Sequence, residues 1–159
     1  MNLGFSGILV AQSNLFPVKL DNKWGFIDKS GKMIVTPEFD DVGVYTESMI
    51  PVKIGSVWGF ADANGKIAVN PQFNEVRNFS NGFAAVRLNN KWGFISAATR
   101  GMVTPQFARV QDFSEGVAAV EISTSWAFID TLGKIAINPQ FSYAKRFSGG
   151  LAPVQIGLA

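Results

Sequence analysis

Carboxylates are the main candidates for catalytic or metal-binding groups in this sequence, because it contains no histidine and no cysteine. The absence of both removes the commonest general base, the commonest zinc ligands and the thiolate nucleophile. Asp40 and Asp41 form an adjacent pair of the kind that glycoside hydrolysis uses as acid and base. At the equivalent positions of the later sequence repeats, which are defined below, the chain carries Asn74-Glu75, Ala108-Arg109 and Ser142-Tyr143. We therefore interpret Asp40-Asp41 as part of a solvated loop, with a cryptic hydrolase as the enzymatic alternative.

A second set of carboxylates recurs at a fixed spacing, at Asp28, Asp62 and Asp130, and a glycine follows each of them three residues later. A calcium site needs several oxygen ligands, whereas each of these positions offers one carboxylate. An aspartate that accepts from the backbone two residues on, followed by a glycine with positive φ, is typical of a turn. We predict turns here and no metal or cofactor site.

A basic column lies four residues after these aspartates, at Lys32, Lys66, Arg100 and Lys134. An anionic partner could bind such a column. We favour the simpler interpretation that the neighbouring aspartates compensate these charges across the same turn.

The tryptophans lie on a lattice, since Trp24, Trp58, Trp92 and Trp126 are 34 residues apart and are all the tryptophans of the chain. A phenylalanine follows each of them two residues later, on the same face of a strand: Phe26, Phe60, Phe94 and Phe128. Exposed rings could stack on sugars, but large aromatic side chains at regular spacing more often bury apolar area. We predict that these eight residues form the structural core of a repeat, with a carbohydrate platform as the alternative.

A period of this size indicates a repeat architecture. Counted from each tryptophan, the repeats are residues 24–57, 58–91, 92–125 and 126–159, preceded by a leader half-unit, 1–23, within one domain of residues 1–159. The leader is in phase, because Val18 continues the invariant column Val52, Val86, Val120 and Val154.

Local signals within a repeat are those of β-strands. Asp21-Asn22 and Asn89-Asn90 suit two-residue hairpin turns, and the third strand of each repeat is predicted to stop at Pro37, Pro71, Pro105 or Pro139. The glycine after tryptophan in three repeats indicates that another backbone or a ring lies against it. No window has a helical stripe. We predict an all-β fold in which tandem 34-residue repeats of short antiparallel strands form an open solenoid-like array.

A small β-propeller is the alternative architecture. In a propeller closed by its termini, the leader would supply strands that the last repeat lacks. Residues 1–23 and 137–159 instead occupy the same phases, so they duplicate each other, which favours the open array.

The segment W-G-F-I-D-K-S-G-K at residues 24–32, with the F-S-x-G stretches that follow in the later repeats, resembles the WG-repeat family, also called the KWG-repeat family. The resemblance covers about residues 14–159. It implies an all-β tandem repeat without assigned catalytic residues and with structural or protein-binding roles. Some small members are accessory subunits of larger assemblies, including cyanobacterial light-harvesting antennae. The third repeat departs from the pattern at Ser96 and Thr99, and the fourth at Ala127.

Charged residues make up only 16% of the chain, which indicates that a partner covers part of the surface. The net charge is +2 and no basic run exceeds Lys145–Arg146, so we expect no nucleic-acid partner. No apolar run is long enough to span a membrane, and the N-terminus lacks the basic region of a secretory signal, so we expect a cytoplasmic protein. We predict a non-enzymatic accessory or scaffolding module that docks on a larger bacterial assembly. The candidate partner-binding residues are Leu151, Pro153, Ile156 and Leu158.

Overall fold

A computed structural model describes residues 14–157, which form sixteen β-strands and no helix. The strands are β1 (Phe16–Leu20), β2 (Lys23–Ile27), β3 (Met33–Phe39), β4 (Asp41–Val42), β5 (Met49–Ile54), β6 (Val57–Asp62), β7 (Ile67–Phe73), β8 (Glu75–Val76), β9 (Phe83–Leu88), β10 (Lys91–Ser96), β11 (Met102–Phe107), β12 (Val117–Ile122), β13 (Ser125–Asp130), β14 (Ile135–Phe141), β15 (Tyr143–Ala144) and β16 (Val154–Gln155). The first thirteen residues of the leader, and Leu158 among the candidate partner-binding residues, lie outside the described part.

These strands form five antiparallel sheets in chain order: β1-β2-β3, β4-β5-β6-β7, β8-β9-β10-β11, β12-β13-β14 and β15-β16. Each of the first four sheets crosses a boundary between two sequence units. The second sheet, for example, takes β4 and β5 from the first repeat and β6 and β7 from the second. In the fourth sheet a bridge between Val110 and Val120 stands where the second and third sheets have a two-residue strand. The leader supplies β1 and so completes the hairpin of the first tryptophan strand.

The two-residue hairpin turns predicted from sequence are confirmed. Asp21 and Asn22 have φ of 48° and 65°, and Asn89 and Asn90 have φ of 50° and 63°. Asparagine and aspartate tolerate this left-handed conformation, which matches the twist of the flanking strands. The F-S-x-G stretches make similar tight turns, as at Ser80, whose N–H and C=O both bond Phe83.

The prediction that the third strand stops at its proline is wrong. Strands β3, β7, β11 and β14 all continue two residues past the proline, to a phenylalanine that pairs with the tryptophan. In the first repeat Trp24 pairs with Phe39 and Phe26 with Val35, so residues 36–38 bulge opposite Gly25 alone. Proline is tolerated because a bulged residue needs no N–H for the ladder.

The close approach predicted at the glycine after tryptophan is confirmed, and the bulge is its cause. A Cβ on Gly59 would lie 2.6 Å from the Pro71 nitrogen and closer still to the Val69 carbonyl oxygen. Gly25 and Gly93 face the same crowding from Pro37 and Pro105. The W-G pair therefore fixes the path of the strand that folds over it.

The core lies between successive sheets. One cluster joins the first and second sheets around Phe26 and Val52, the next joins the second and third around Phe60 and Val86, and further clusters follow around Phe94 and Phe128. The middle sheets are covered on both faces, which explains the continuous apolar run of β9 and β12. No strand pairing within residues 14–157 joins the first sheet to the last. The predicted all-β array of tandem antiparallel strands is confirmed, and its sheets do not close into a barrel.

Candidate functional site

The four tryptophans share one local environment, in which a cation faces each ring. Lys19 Nζ lies 5.4 Å from the centre of the Trp24 ring, and Lys53 Nζ lies 5.6 Å from that of Trp58. The sheet register causes this, because Lys19 pairs with Trp24 and Lys53 with Trp58 across adjacent strands. A cation over an indole ring contributes about 0.5–1 kcal/mol when exposed.

The third and fourth tryptophans have arginine partners. The guanidinium carbons of Arg77 and Arg87 lie 4.7 Å and 5.9 Å from the Trp92 ring centre. In the fourth repeat the residue opposite Trp126 is Glu121, and its ion-pair partner Arg109 lies 5.3 Å over the ring. A cation therefore faces all four rings, although the residue that supplies it differs.

Burial divides the tryptophans into two pairs. Trp92 and Trp126 are 8% and 1% exposed, whereas Trp24 and Trp58 are half-buried. The four phenylalanines that follow them, Phe26, Phe60, Phe94 and Phe128, are all buried in the clusters between sheets. Trp92 and Trp126 are therefore not open platforms for sugar rings, whereas Trp24 and Trp58 keep part of their surface open.

The candidate acid–base pair is engaged in local structure. Asp40 Oδ1 is 2.6 Å from Lys23 Nζ, and its Oδ2 accepts a 2.7 Å hydrogen bond from the Gly55 N–H. The hydrogen bond from Lys23 holds the pKa of Asp40 below its usual value. Asp41 accepts from the N–H of Val42. At the phase of Asp40 in the next repeat, Asn74 accepts from the N–H of Asn89, so both side chains tie one hairpin to its neighbouring strand.

The recurrent aspartates form the predicted turns. Asp62 Oδ1 accepts from the N–H of Asn64 at 2.8 Å and from that of Lys66 at 3.0 Å, and Gly65 has a φ of 79°. Asp28 and Asp130 make the same pair of bonds. The carboxylates are thus held by backbone N–H groups. Within residues 14–157 the basic column after them makes no ion pair with these aspartates, and no group of three metal-ligating side chains occurs.

The turn of the third repeat has a different construction. The Ser96 N–H donates to the Gly101 carbonyl, which makes the turn one residue longer than that closed by Asp28 and Lys32. Arg100 takes the left-handed conformation with a φ of 59°. In the other repeats the extra residue forms a second bulge between the tryptophan strand and the strand that follows it. The third repeat lacks this second bulge.

A cleft of about 320 Å³ lies between this turn and the corresponding turn of the fourth repeat. Ser96, Thr99, Met102 and Leu132 are among its lining residues. Leu132 is 75% exposed at the tip of its turn, where the first two repeats carry Ser30 and Asn64. Leu132 was not identified from the sequence, although a leucine where two other repeats have a polar residue indicates a special role.

Three of the four predicted partner-binding residues lie in the described part of the last repeat, and all three are exposed. Leu151 and Ile156 are 76% and 75% exposed, and Pro153 is exposed as well. They flank or lie beside β16, which pairs with β15 through Ala144 and Val154. The corresponding strand β5 of the second sheet is paired on both sides. Within the described residues, β16 has one strand neighbour.

A family model described as "WG containing repeat" matches residues 24–57, 58–92, 101–123 and 126–157. The chain belongs to the WG-repeat family. The third match begins at residue 101, which leaves residues 93–100 outside it, and these residues include most of the lengthened turn. No curated protein matches the chain.

Several solved structures are similar to this WG-repeat chain at low sequence identity. A form of KlHsv2 with loop 6CD replaced by a Gly-Ser linker is 10% identical, with a TM-score of 0.45. The match covers 84% of this chain, and this chain spans about half (51%) of that protein. The hemopexin fold protein CP4 from cow pea is 13% identical, with a TM-score of 0.29 over 82% and 90% of the two chains. A 2S albumin seed protein from Dolichos is 12% identical, with a TM-score of 0.28 over 81% and 85%. These TM-scores are too low to define the fold.

The described WG repeats contain no helix that is long and apolar enough to cross a membrane.

Proposed function

We propose that this WG-repeat chain is a non-catalytic protein-binding module that serves as an accessory or scaffolding subunit of a larger bacterial assembly. The observation that carries the proposal is the set of exposed apolar side chains beside β16, namely Leu151, Val154 and Ile156. Large apolar side chains grouped on a surface are typical of contact regions. The family expectation of protein-binding roles agrees with this proposal.

Strand β16 offers a second element of recognition. Its backbone pairs with β15 on one side, and no strand within residues 14–157 pairs with the other side. An unpaired strand edge is a template for a strand from another chain. A partner that adds a strand here would gain backbone hydrogen bonds and bury Leu151 and Ile156. Pro153 cannot donate to such a ladder, which limits the registers that a partner strand can adopt.

The non-catalytic part of the proposal is supported by how the carboxylates are used. Asp40 is tied to Lys23 and to the Gly55 N–H, and the turn aspartates accept from backbone N–H groups. An acid–base catalyst needs a proton that it can exchange with a substrate near neutral pH. A carboxylate whose pKa is held low by a lysine is suited to charge pairing instead.

The test is a co-purification experiment in the native host with tagged variants. We expect the double variant Leu151→Asp, Ile156→Asp to lose a partner that the unaltered chain retains, because charges would be buried without counterions at the contact. Val44→Asp is the matched control, since Val44 is 64% exposed on a loop of the first repeat. Circular dichroism checks that both variants fold.

Equal recovery of the partner by the double variant and by the unaltered chain would contradict this location of the contact. Ile156→Leu, which keeps the apolar character, should keep the partner. Loss of the partner in Val44→Asp alone would move the contact to the first repeat.

A carbohydrate- or cell-envelope-binding module remains the second candidate, since Trp24 and Trp58 are half-buried and keep part of their surface open. Binding to a glycan array that is lost in Trp24→Ala and Trp58→Ala, but retained in the double variant at residues 151 and 156, would support that function instead.

A further inference from the structure

A second cleft, of about 270 Å³, lies on the side of the tryptophans and is lined by residues of the second, third and fourth repeats. Its walls include two guanidinium groups, two indoles, an amide and a phenol, from Arg77, Arg109, Trp92, Trp126, Gln111 and Tyr143. Trp92 lies on β10, Trp126 on β13 and Tyr143 on β15, so three consecutive sheets contribute. The stacking of the repeats therefore assembles this cleft.

The two guanidinium groups are held in place while part of their donor capacity stays unused. Arg109 donates from Nε and Nη2 to Glu121 at 2.6 Å and 2.7 Å, which leaves Nη1 without a partner within residues 14–157. Arg77 donates from Nη1 to the Val110 carbonyl and to Asp112. Its Nε and Nη2 have no partner in the same part of the chain. Since each guanidinium lies over an indole ring, its orientation is fixed before any ligand arrives.

The remaining polar groups of the cleft are also unsatisfied among the described residues. The Trp126 Nε1–H is buried and has no hydrogen-bond acceptor. Neither the Gln111 side chain nor the Tyr143 hydroxyl has a hydrogen-bond partner in residues 14–157. The Gln111 and Tyr143 donors are therefore available to a ligand, whereas the Trp126 Nε1 atom has almost no accessible surface and can report on the cleft without bonding a ligand.

The placement of donors favours an anion in the cleft, although Asp112 and Glu121 neutralise the two arginines. Asp112 and Glu121 hold the arginines, but neither carboxylate is among the residues that line the cleft. The hydrogen bonds from Arg109 hold the pKa of Glu121 below its usual value, so this pair is ionised at neutral pH. The lining thus presents the unused donors of two cations and no carboxylate.

This combination occurs once in the described repeats. At the corresponding position one repeat earlier, Arg109 is replaced by Glu75 and Arg77 by Gly43. Glu75 pairs with Arg87 and places a carboxylate where the later cleft has a guanidinium. General packing of the repeat therefore does not require the donor set of the later cleft.

We propose that the cleft lined by Arg77 and Arg109 binds a carboxylate group, presented by a small free acid or by an acidic side chain of a partner protein. Free N–H donors of Arg77 and Arg109 bind the oxygens, and the Tyr143 hydroxyl and Gln111 amide supply further donors. The volume lies just below the 300–1,000 Å³ range of pockets for drug-sized ligands, so it suits a small ligand or one side chain. This inference does not depend on the proposed contact at β16.

The test uses the full chain and benzoate as the probe, with benzyl alcohol as the uncharged comparison. We expect benzoate to shift the Trp126 indole N–H signal saturably in ¹H–¹⁵N NMR, and benzyl alcohol to leave it unchanged. Arg109→Gln and Arg77→Gln should each weaken benzoate binding about tenfold or more, because each removes a charged donor. Arg87→Gln is the matched control, since Arg87 also faces Trp92 but does not line the cleft.

A third variant covers the case in which an arginine variant fails to fold. Tyr143→Phe keeps the ring packing against Trp126 and should still weaken benzoate binding. Titration with N-acetylglutamate amide distinguishes the sources, because tighter binding of this probe than of benzoate would indicate an acidic side chain. The proposal would be overturned if no carboxylate gave a saturable shift, if Arg87→Gln and Arg109→Gln weakened binding equally, or if inorganic phosphate bound more tightly than every carboxylate tested.

Discussion

The second residue of the W-G-F motif determines how the neighbouring strand runs. Gly25, Gly59 and Gly93 lie under a bulge whose proline nitrogen would be within 2.8 Å of an added Cβ. The fourth repeat has Ala127 at this position, with the same pairing of Trp126 to Phe141 and Phe128 to Ile137. The bulge of the fourth repeat must therefore be displaced enough to accept a methyl group that the first three repeats exclude.

This difference gives a prediction at the residue scale. Gly93→Ala should lower the free energy of unfolding by about 1–3 kcal/mol, because the methyl group would overlap the backbone of Val103 and Pro105. Ala127→Gly is the reverse change and should cost about 1–2 kcal/mol for a different reason, since it removes a buried methyl group and adds backbone freedom. Urea denaturation followed by tryptophan fluorescence measures both. Equal stability of Gly93→Ala and the unaltered chain would contradict the steric account.

Elements formed by local interactions are those that the sequence predicts well. The left-handed turns at Asp21-Asn22 and Asn89-Asn90 depend on residue types that tolerate positive φ, and the aspartate turns depend on a side chain that bonds the backbone of its own turn. The end of the third strand cannot be predicted from its proline, because pairing of Phe39 with Trp24 carries the strand past Pro37 through a bulge. That pairing depends on the neighbouring strand and not on the proline's immediate sequence.

The aspartate turn provides the prediction at the scale of an element. Asp62→Ala removes the acceptor for the N–H groups of Asn64 and Lys66, and should destabilise the fold by about 1–2 kcal/mol. Asp62→Asn keeps an oxygen acceptor and should lose less than half of that. Thermal unfolding by circular dichroism compares the two variants. Identical unfolding temperatures for Asp62→Ala and the unaltered chain would show that the turn does not need this acceptor.

At the scale of the whole molecule, the sheets and the sequence repeats are out of step, because each of the first four sheets joins the end of one sequence unit to the start of the next. Side chains also tie neighbouring units together. The Glu47 carboxylate accepts from the Gly82 N–H, Glu115 accepts from the N–H groups of Gly149 and Gly150, and Arg77 reaches Asp112. The cleft lined by Arg77 and Arg109 results from this stacking of repeats, so it could not be predicted from the spacing within one repeat.

The candidate partner-binding surface was more accessible to sequence reasoning than the cleft. Leu151 and Ile156 lie in an apolar segment without charges, which is visible in the sequence, and both side chains are exposed in the structure. Leu132 and the Arg77–Arg109 set were missed, since their roles depend on how neighbouring repeats face each other. Leu132 and Arg109 each differ from the residues at the equivalent positions of the other repeats. That difference was the only sign in the sequence of either feature.

The most direct test of the protein-binding account is site-specific photocrosslinking in the native host, with p-benzoylphenylalanine placed at residue 156 in one variant and at residue 44 in another. The account predicts one discrete crosslinked protein from residue 156, identified by mass spectrometry, and none of that protein from residue 44. Crosslinking from residue 44 to the same protein with equal yield, or the absence of any discrete product from residue 156, would contradict it.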